Sequence, residues 1–256
     1  MNIKVIIPCH LDSVRLKEKV IIDINGLPMI EHVRRRVLLS KSVDEVFIAT
    51  NDNLIKDLVE GFGGKVIVTK GDHNTGTSRA AEAITNIECS HVILVQGDEP
   101  LLIPEYLDLF IGELRKSEDI DMFNAISKFK NIAYLDDTSI VKCLINKKKH
   151  IITCFRKTPL SNMEKFKFES EIFKIQGLIA YKKNFLLNLI NYADTPFAIR
   201  ESIEQMKAIE HGAIIKGIFI PEPLASVNTK KELDEVKRLL STDKKQNELF
   251  HKIKQQ

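Results

Sequence analysis

The four cysteines, Cys9, Cys89, Cys143 and Cys154, form no C-x-x-C pair and no dense framework. That excludes a disulfide scaffold and an ordinary zinc cluster, and points to free thiols in a reducing compartment. Charge of one sign is also missing: 38 basic residues stand against 35 acidic ones, for a net of +3. A dedicated nucleic-acid binder would carry a one-sided field, so nucleic acid is not an expected partner. Long hydrophobic runs are absent as well. The opening "MNIKVIIPC" turns polar too soon for a signal-peptide core or a membrane span, so the expected location is the cytoplasm, with no membrane partner. No internal repeat, low-complexity tract or linker divides the 256 residues, and they read as one domain, 1–256, large enough for a full core.

What is present is a regular alternation in the first half. "IKVIIP", "EVFIAT", "KVIVT" and "HVILVQ" are short β-branched runs that predict strands. Between them, "PMIEHVRRRVLLSK" predicts a helix with Pro28 at its start and Ile30, Val33, Val37 and Leu38 on one face, and "NLIKDLVEGFGG" and "SRAAEAITNI" predict two more. Strand and helix in turn imply an α/β fold with a mainly parallel central sheet and helices on both faces, because parallel neighbours need crossovers. The second half reads as a smaller mixed β/α part, with strands at "DMFNAISKF", "SIVKCLIN", "IITCF" and "IQGLIAY" and a helix through "NFLLNLINY". "IRESIEQMKAIEHG" predicts one amphipathic helix with Ile199, Ile203, Met206 and Ile209 in a stripe and Gly212 at its stop. Thr229 and Glu232 have capping-box spacing at the start of a closing helix, "TKKELDEVKRLL", and beyond Leu240 the polar tail reads as a segment that can fray.

Ligands of an open parallel sheet collect beyond the carboxyl ends of its strands. Three loops stand there. "PCHLDSVRLKEKV" holds Arg15 and Lys19, four apart, a pair suited to gripping a polyphosphate or simply to lining a solvated loop. It is not a Walker loop, since no G-x-x-x-x-G-K-[ST] occurs. "KGDHNTGTSRAAE" offers backbone amides, with Gly76 permitting close approach, or merely caps a helix through Thr75, Thr77 or Ser78. "VQGDEP" ends its strand in Asp98 and Glu99, which suit Mg²⁺ bridged to phosphates or are turn residues before Pro100.

Taken in order, these segments resemble the CMP-sugar synthetases of the 3-deoxy-manno-octulosonate (Kdo) cytidylyltransferase family. "IIPCHLDSVRLKEKVIIDINGLPMIEHV" is similar to that family's "IPAR", "S-x-R-L-P-G-K-P-L" and "I-x-G-K-P-M-I"; "DHNTGTSRAAE" to its "DHxSGTERxAE"; and "VQGDEPLL" to its "VQGDEPxI". Weaker likeness runs on through "SIVKC", "CFRKTP", "TPFAIRESIEQMKAIEHG" and "SVNTKKELDEV", so it covers residues 2 to about 240. The resemblance implies a Rossmann-like nucleotidyltransferase fold, with a nucleotide-binding half at 1–120, a sugar-binding and dimerisation half at 121–240 and a polar tail at 241–256. It implies attack by the anomeric hydroxyl of an acidic sugar on the α-phosphate of CTP, in lipopolysaccharide or capsule synthesis.

By the same resemblance Arg15 and Lys19 hold the triphosphate and act with Asp98 in catalysis. Pro8, His10, His73, Gly76, Thr77, Arg79 and Gln96 border the nucleotide. Lys142, Arg156, Gln176, Tyr181, Glu201 and Glu204, with Gln96, border the sugar. Asp98 and residue 228 hold Mg²⁺, and a homodimer is implied, with "SNMEKFKFESEIFK" as one possible contact. Several positions depart from the family pattern. Asn228 replaces an Asp, His10 an Arg, and Lys17 and Glu18 a Pro-Gly pair. Ile175, Ile179 and Ala198 replace polar groups of the sugar pocket, which implies an acceptor modified from Kdo, less polar or amino-substituted.

Overall fold

The computed structural model describes residues 1–13, 15–117, 119–129, 131–157 and 172–256. They form two compact units, Met1–Asp108 with Leu224–Gln256, and Leu109–Pro223. In the first unit, β1 (Ile3–Pro8) lies between β2 (Glu45–Thr50) and β4 (His91–Val95), and β3 (Lys65–Val68) lies outside β2; every pairing is parallel. All of β4 and nearly all of β1 is buried, as expected of strands covered on both faces. Parallel register brings Pro8, Thr50, Val68 and Val95 to one edge, and that edge carries the three loops singled out above.

Helices α1 (Met29–Leu38), α2 (Asn53–Gly61) and α3 (Gly76–Ile84) connect these strands. Asp52 caps α2 by accepting the amide of Leu54, and Thr75 caps α3 by accepting that of Ser78. Helix α1 departs from its amphipathic forecast, for Met29 through Val37 are all buried while Leu38, placed on the core face by periodicity, is 45% exposed. Two of its three buried arginines pair with an acid, while Arg36 donates to the Leu102 carbonyl at 3.1 Å. The Glu31 carboxylate takes Arg34 through two hydrogen bonds of 2.7 Å and Arg35 at 2.9 Å.

The chain leaves the first unit within α4 (Pro104–Arg115), a helix that the motif-led reading passed over although Leu107, Phe110, Ile111 and Leu114 mark its buried stripe. In the second unit, β8 (Ile172–Lys182) pairs antiparallel with β5 (Met122–Ser127), which pairs in parallel with β9 (Ile215–Phe219). Strand β9 then meets β7 (His150–Phe155), which meets β6 (Lys142–Ile145), and β6 returns to β8 through Lys142–Leu144. The strand β9 was also missed, although "IIKGIFI" is β-branched enough to have shown it. Helix α5 (Lys183–Leu189) follows β8 as expected.

The single helix expected over "IRESIEQMKAIEHG" is two, α6 (Pro196–Glu201) and α7 (Glu204–Glu210), and Ile199 is 64% exposed rather than in a core stripe. Ser202 breaks the run in the left-handed region at φ 53°. The carbonyls of Glu201 and Ser202, which a continuous helix would have used, accept instead from Arg156 Nε at 2.8 Å and Nη2 at 3.2 Å. Gly212 stops α7 at φ 83°, as its place in the sequence predicts.

The chain returns to the first unit with α8 (Lys230–Thr242), opened by the Thr229–Glu232 capping box. The segment expected to fray is helical: α9 (Lys244–Lys254) packs Phe250 and Ile253 into a core with Ile24, Met29, Leu101 and Val236. No helix among the described residues is long and apolar enough to cross a membrane. Of the stretch "SNMEKFKFESEIFK", residues 161–171 lie outside the described residues.

Candidate active site

Beyond β1 and β4 the first unit contains a cavity of about 310 Å³ lined by Pro8, His10, Arg15, Lys19, Gln96, Asp98 and Asn228, together with Cys9, Asp12, Ser13, Val20 and Gly97. The strand ends build its floor. A Cβ on Gly97 would stand 3.3 Å from Ile30 Cδ1 and 3.5 Å from the Pro8 carbonyl, and one on Gly76 would stand 3.0 Å from Pro8 Cγ, so both glycines serve close approach. Of the two adjacent acids that end the fourth strand run, Asp98 lines the cavity and Glu99 is buried.

Segment 225–229 is brought to this floor by its main chain. Val227 N–H donates to the Asp98 carbonyl at 2.8 Å, and Glu232 accepts the amides of Asn228 and Thr229 at 2.7 and 2.8 Å. The helix cap therefore fixes the residue that precedes it. Lys19 starts a short 3-10 turn, Lys19–Ile21, entered through Glu18 at φ 51° and ψ 29°. Here a non-glycine residue holds the left-handed conformation at the position where the family pattern has Gly, a conformation that costs about 1–2 kcal/mol for an L side chain.

Four polar side chains meet in the cavity. Lys19 Nζ donates to Asp98 Oδ2 at 2.5 Å and to Asn228 Oδ1 at 3.0 Å, and Arg15 Nη2 donates to the same Asn228 oxygen at 2.9 Å. The side chains of Lys19 and Asp98 are 17% and 19% exposed, so solvent screens the pair only in part. Cys9 lies beside them, but burial pushes its thiol up to about 12 and leaves it unreactive. Asp12 and Ser13 also line the cavity, from the same loop that holds Arg15 and Lys19.

The loop before α3 is organised by Glu82, which accepts the amide of Lys70 and faces His73 Nε2 at 2.6 Å. Arg79 is buried, donating to Asn51 Oδ1 at 2.9 Å and Thr69 Oγ1 at 2.7 Å. His73, Gly76, Thr77 and Arg79 do not line the cavity described above.

Apart from Gln96, which lines the cavity, the sugar-side candidates belong to the second unit. Lys142 is buried, and its ammonium donates to the carbonyls of Asp137 at 2.5 Å and Arg156 at 2.6 Å; burial lowers its pKa. The Arg156 amide donates to Glu201 Oε2 at 2.8 Å. Gln176 Nε2 donates to Ser127 Oγ at 2.9 Å, while Gln205 Nε2 donates to Asn124 Oδ1 at 2.8 Å. Tyr181 is buried in β8, Ile179 on the same strand is buried, Ile175 is half-buried, and Glu204 is exposed at the start of α7.

The chain as a whole is similar to known proteins. A family described as Cytidylyltransferase matches residues 4–218. The 3-deoxy-manno-octulosonate cytidylyltransferase of Geobacter sulfurreducens is 32% identical over 246 residues, covering 92% of this chain and 98% of that protein. The enzyme of the same name from Francisella tularensis subsp. novicida is 32% identical over 250 residues, covering 94% and 99%. A solved CMP:2-keto-3-deoxy-manno-octonic acid synthetase complexed with CTP superposes with a TM-score of 0.89 at 28% identity, over 95% of this chain and 100% of that one. The inositol-1-phosphate CTP transferase of T. maritima, at a TM-score of 0.67 and 17% identity, shares the fold alone. The α/β architecture is thus the Rossmann-like nucleotidyltransferase fold.

Proposed function

The chain belongs to the cytidylyltransferase family, and on that premise we propose that it transfers CMP from CTP to the anomeric hydroxyl of a 3-deoxy-ulosonic acid of the Kdo type, releasing pyrophosphate. The observation that carries the reading is the meeting of Arg15, Lys19, Asp98 and Asn228 in one cavity at the strand ends. The anomeric hydroxyl oxygen attacks the α-phosphorus and gives up its proton to water, the bond from that phosphorus to the bridging oxygen breaks, and pyrophosphate departs with the electron pair. Such a transfer needs positioning and charge neutralisation more than covalent help. Arg15 by its planar fork and Lys19 as a point charge take the β- and γ-phosphates and stabilise the leaving pyrophosphate. Gly76 and Gln96, with Pro8 and His10, border the nucleotide, and the clamped loop behind them positions Gly76 and Thr77.

The donor set fits Mg²⁺. Asp98 Oδ2 and Asn228 Oδ1 face one point, marked by the Lys19 ammonium they share, and among the described residues no group of three or more His, Cys, Asp and Glu could hold a metal. One carboxylate and one amide oxygen suit an ion that keeps several waters and completes its shell with phosphate. When bound, Mg²⁺ would neutralise phosphate charge. The acceptor reading is supported by the names of the matched relatives. Ile175 and Ile179 leave the second unit less polar than the family pattern, which favours testing a modified acceptor beside Kdo itself.

The test is pyrophosphate release from CTP in the presence of Mg²⁺, with Kdo and with an amino-substituted 3-deoxy-ulosonic acid in parallel arms. Turnover with either acid is expected, with CTP stabilising the fold to heat more than UTP, GTP or ATP does. Folded protein that gains no stability from any nucleotide would sink the reading.

A further inference from the structure

The site holds a cation of its own. Lys19 Nζ lies 2.5 Å from Asp98 Oδ2 and 3.0 Å from Asn228 Oδ1, at the point where the two candidate metal-ligand oxygens converge. Mg²⁺ takes its oxygens at roughly 2.0–2.1 Å, so it cannot share both with an ammonium lodged between them. Asn228 Oδ1 is engaged a second time, by Arg15 Nη2 at 2.9 Å. The four side chains carry two positive charges and one negative, because residue 228 is a neutral amide; the nearest further acid lining the cavity, Asp12, is exposed. The Asp98 carboxylate is already paired, so its oxygen is closed to a divalent cation while Lys19 stays in place.

We propose that Lys19 bars the metal from the free protein and that the triphosphate admits it. This rests on the nucleotide reading above. Phosphate oxygens, carrying several negative charges, draw Lys19 and Arg15 toward themselves and leave Asp98 an unpaired carboxylate beside a polyanion. Only then do Asp98, Asn228 and a phosphate oxygen form an oxygen-rich, net negative position. Metal and nucleotide therefore enter with positive coupling, and by linkage each tightens the other by the same factor. Asn228 strengthens the bar, since an acid there would supply a second negative charge against the second cation.

The probe is Mn²⁺, titrated into the full chain and followed by the electron paramagnetic resonance signal of the free ion. Without nucleotide, Lys19→Met is expected to bind Mn²⁺ at least about tenfold more tightly than the wild type, and adding Asp98→Asn to that variant should remove the gained site. Equal binding by the wild type and Lys19→Met overturns the proposal. Should Lys19→Met prove unfolded by circular dichroism, the wild type alone decides. Its Mn²⁺ affinity with saturating CTP must exceed that of either the protein or CTP by itself by about tenfold, and no such gain overturns the bar. CTP that fails to bind the wild type with or without metal would refute the nucleotide reading, while the contrast between wild type and Lys19→Met still judges the bar on its own.

Discussion

His73 and Glu82 are joined across the loop that leads into α3: Nε2 lies 2.6 Å from Oε2, and the same carboxylate accepts the backbone amides of Lys70 at 2.6 Å and Gly71 at 3.3 Å. One side chain thus ties both ends of the segment that delivers Gly76 to Pro8. The Lys70 amide, followed by His73, holds the Glu82 carboxyl below its ordinary value of 4.5.

Glu82→Ala should therefore loosen the nucleotide loop more than it disturbs the reacting groups. The expected effect is an increase in KM for CTP of about tenfold, equivalent to the ~1.5 kcal/mol of a hydrogen bond to a charged group, with kcat changed less; Glu82→Gln should restore most of it. An equal fall in kcat and kcat/KM would contradict a positioning role. Because the folded carboxyl titrates below 4.5, its stabilisation is complete above that value and is lost as pH falls beneath it. The Tm gap between the wild type and Glu82→Gln should narrow in acid.

Asn228→Asp tests the metal position from the other side. The added carboxylate raises the negative charge of the ligand set, and the Mg²⁺ concentration for half-maximal pyrophosphate release is expected to fall by roughly tenfold. The same charge pairs with Arg15 and Lys19, so metal-free CTP should bind less tightly, as read by calorimetry in chelator. An unchanged Mg²⁺ dependence would remove residue 228 from the metal shell.

His32 sets an acid limit on stability. It is fully buried, and its Nε2 lies 2.9 Å from the Ile24 carbonyl, so burial pushes its pKa from 6.5 down to about 4. Between those values the unfolded chain binds a proton that the folded chain refuses, so stability falls as pH is lowered through that window, by up to ~1.4 kcal/mol per unit. Urea unfolding between pH 6.5 and 4 should show a steeper loss for the wild type than for His32→Gln. Parallel curves would mean that the ring accepts its second proton inside the fold.

The parallel half was legible because "IKVIIP" and "HVILVQ" are apolar on both faces, a pattern that only strands covered twice require. The loops beyond β1 and β4 carry Arg15, Lys19 and Asp98, and these three line one cavity. Other features depend on partners far away in the chain. The forecast that Leu38 faces the core fails because α1 is surrounded and buries Arg34, Arg35 and Arg36 instead, a choice that needs Glu31 to pair two of them. Nor could helical periodicity foresee the break at Ser202, which depends on Arg156 taking carbonyls 45 and 46 positions away. Glu18 holds a left-handed turn without being a glycine, which no local propensity foretells.

The tail is where local composition was least informative, and Phe250 is the residue to test. Lys, Gln and Asn dominate "DKKQNELFHKIKQQ", so hydrophobicity alone predicts fraying, but the few apolar residues fall on one face of α9 and Phe250 stacks on His32 at 5.4 Å with 7° between the planes. Arg35 Nη1 donates to the Ile253 carbonyl at 2.8 Å and Gln246 Nε2 to that of Leu101 at 3.1 Å, so the helix is held by polar bonds as well. Phe250→Ala is expected to destabilise the protein by roughly 3–5 kcal/mol in urea, whereas a frayed segment would register within about 0.5 kcal/mol. The same helix packs in one core with Leu101, three positions beyond Asp98, and with Val227, beside Asn228. Sub-denaturing urea should therefore raise the Mg²⁺ requirement of the variant before it unfolds, and a Mg²⁺ dependence that stays fixed up to the unfolding midpoint would show that α9 supports the core without supporting the site.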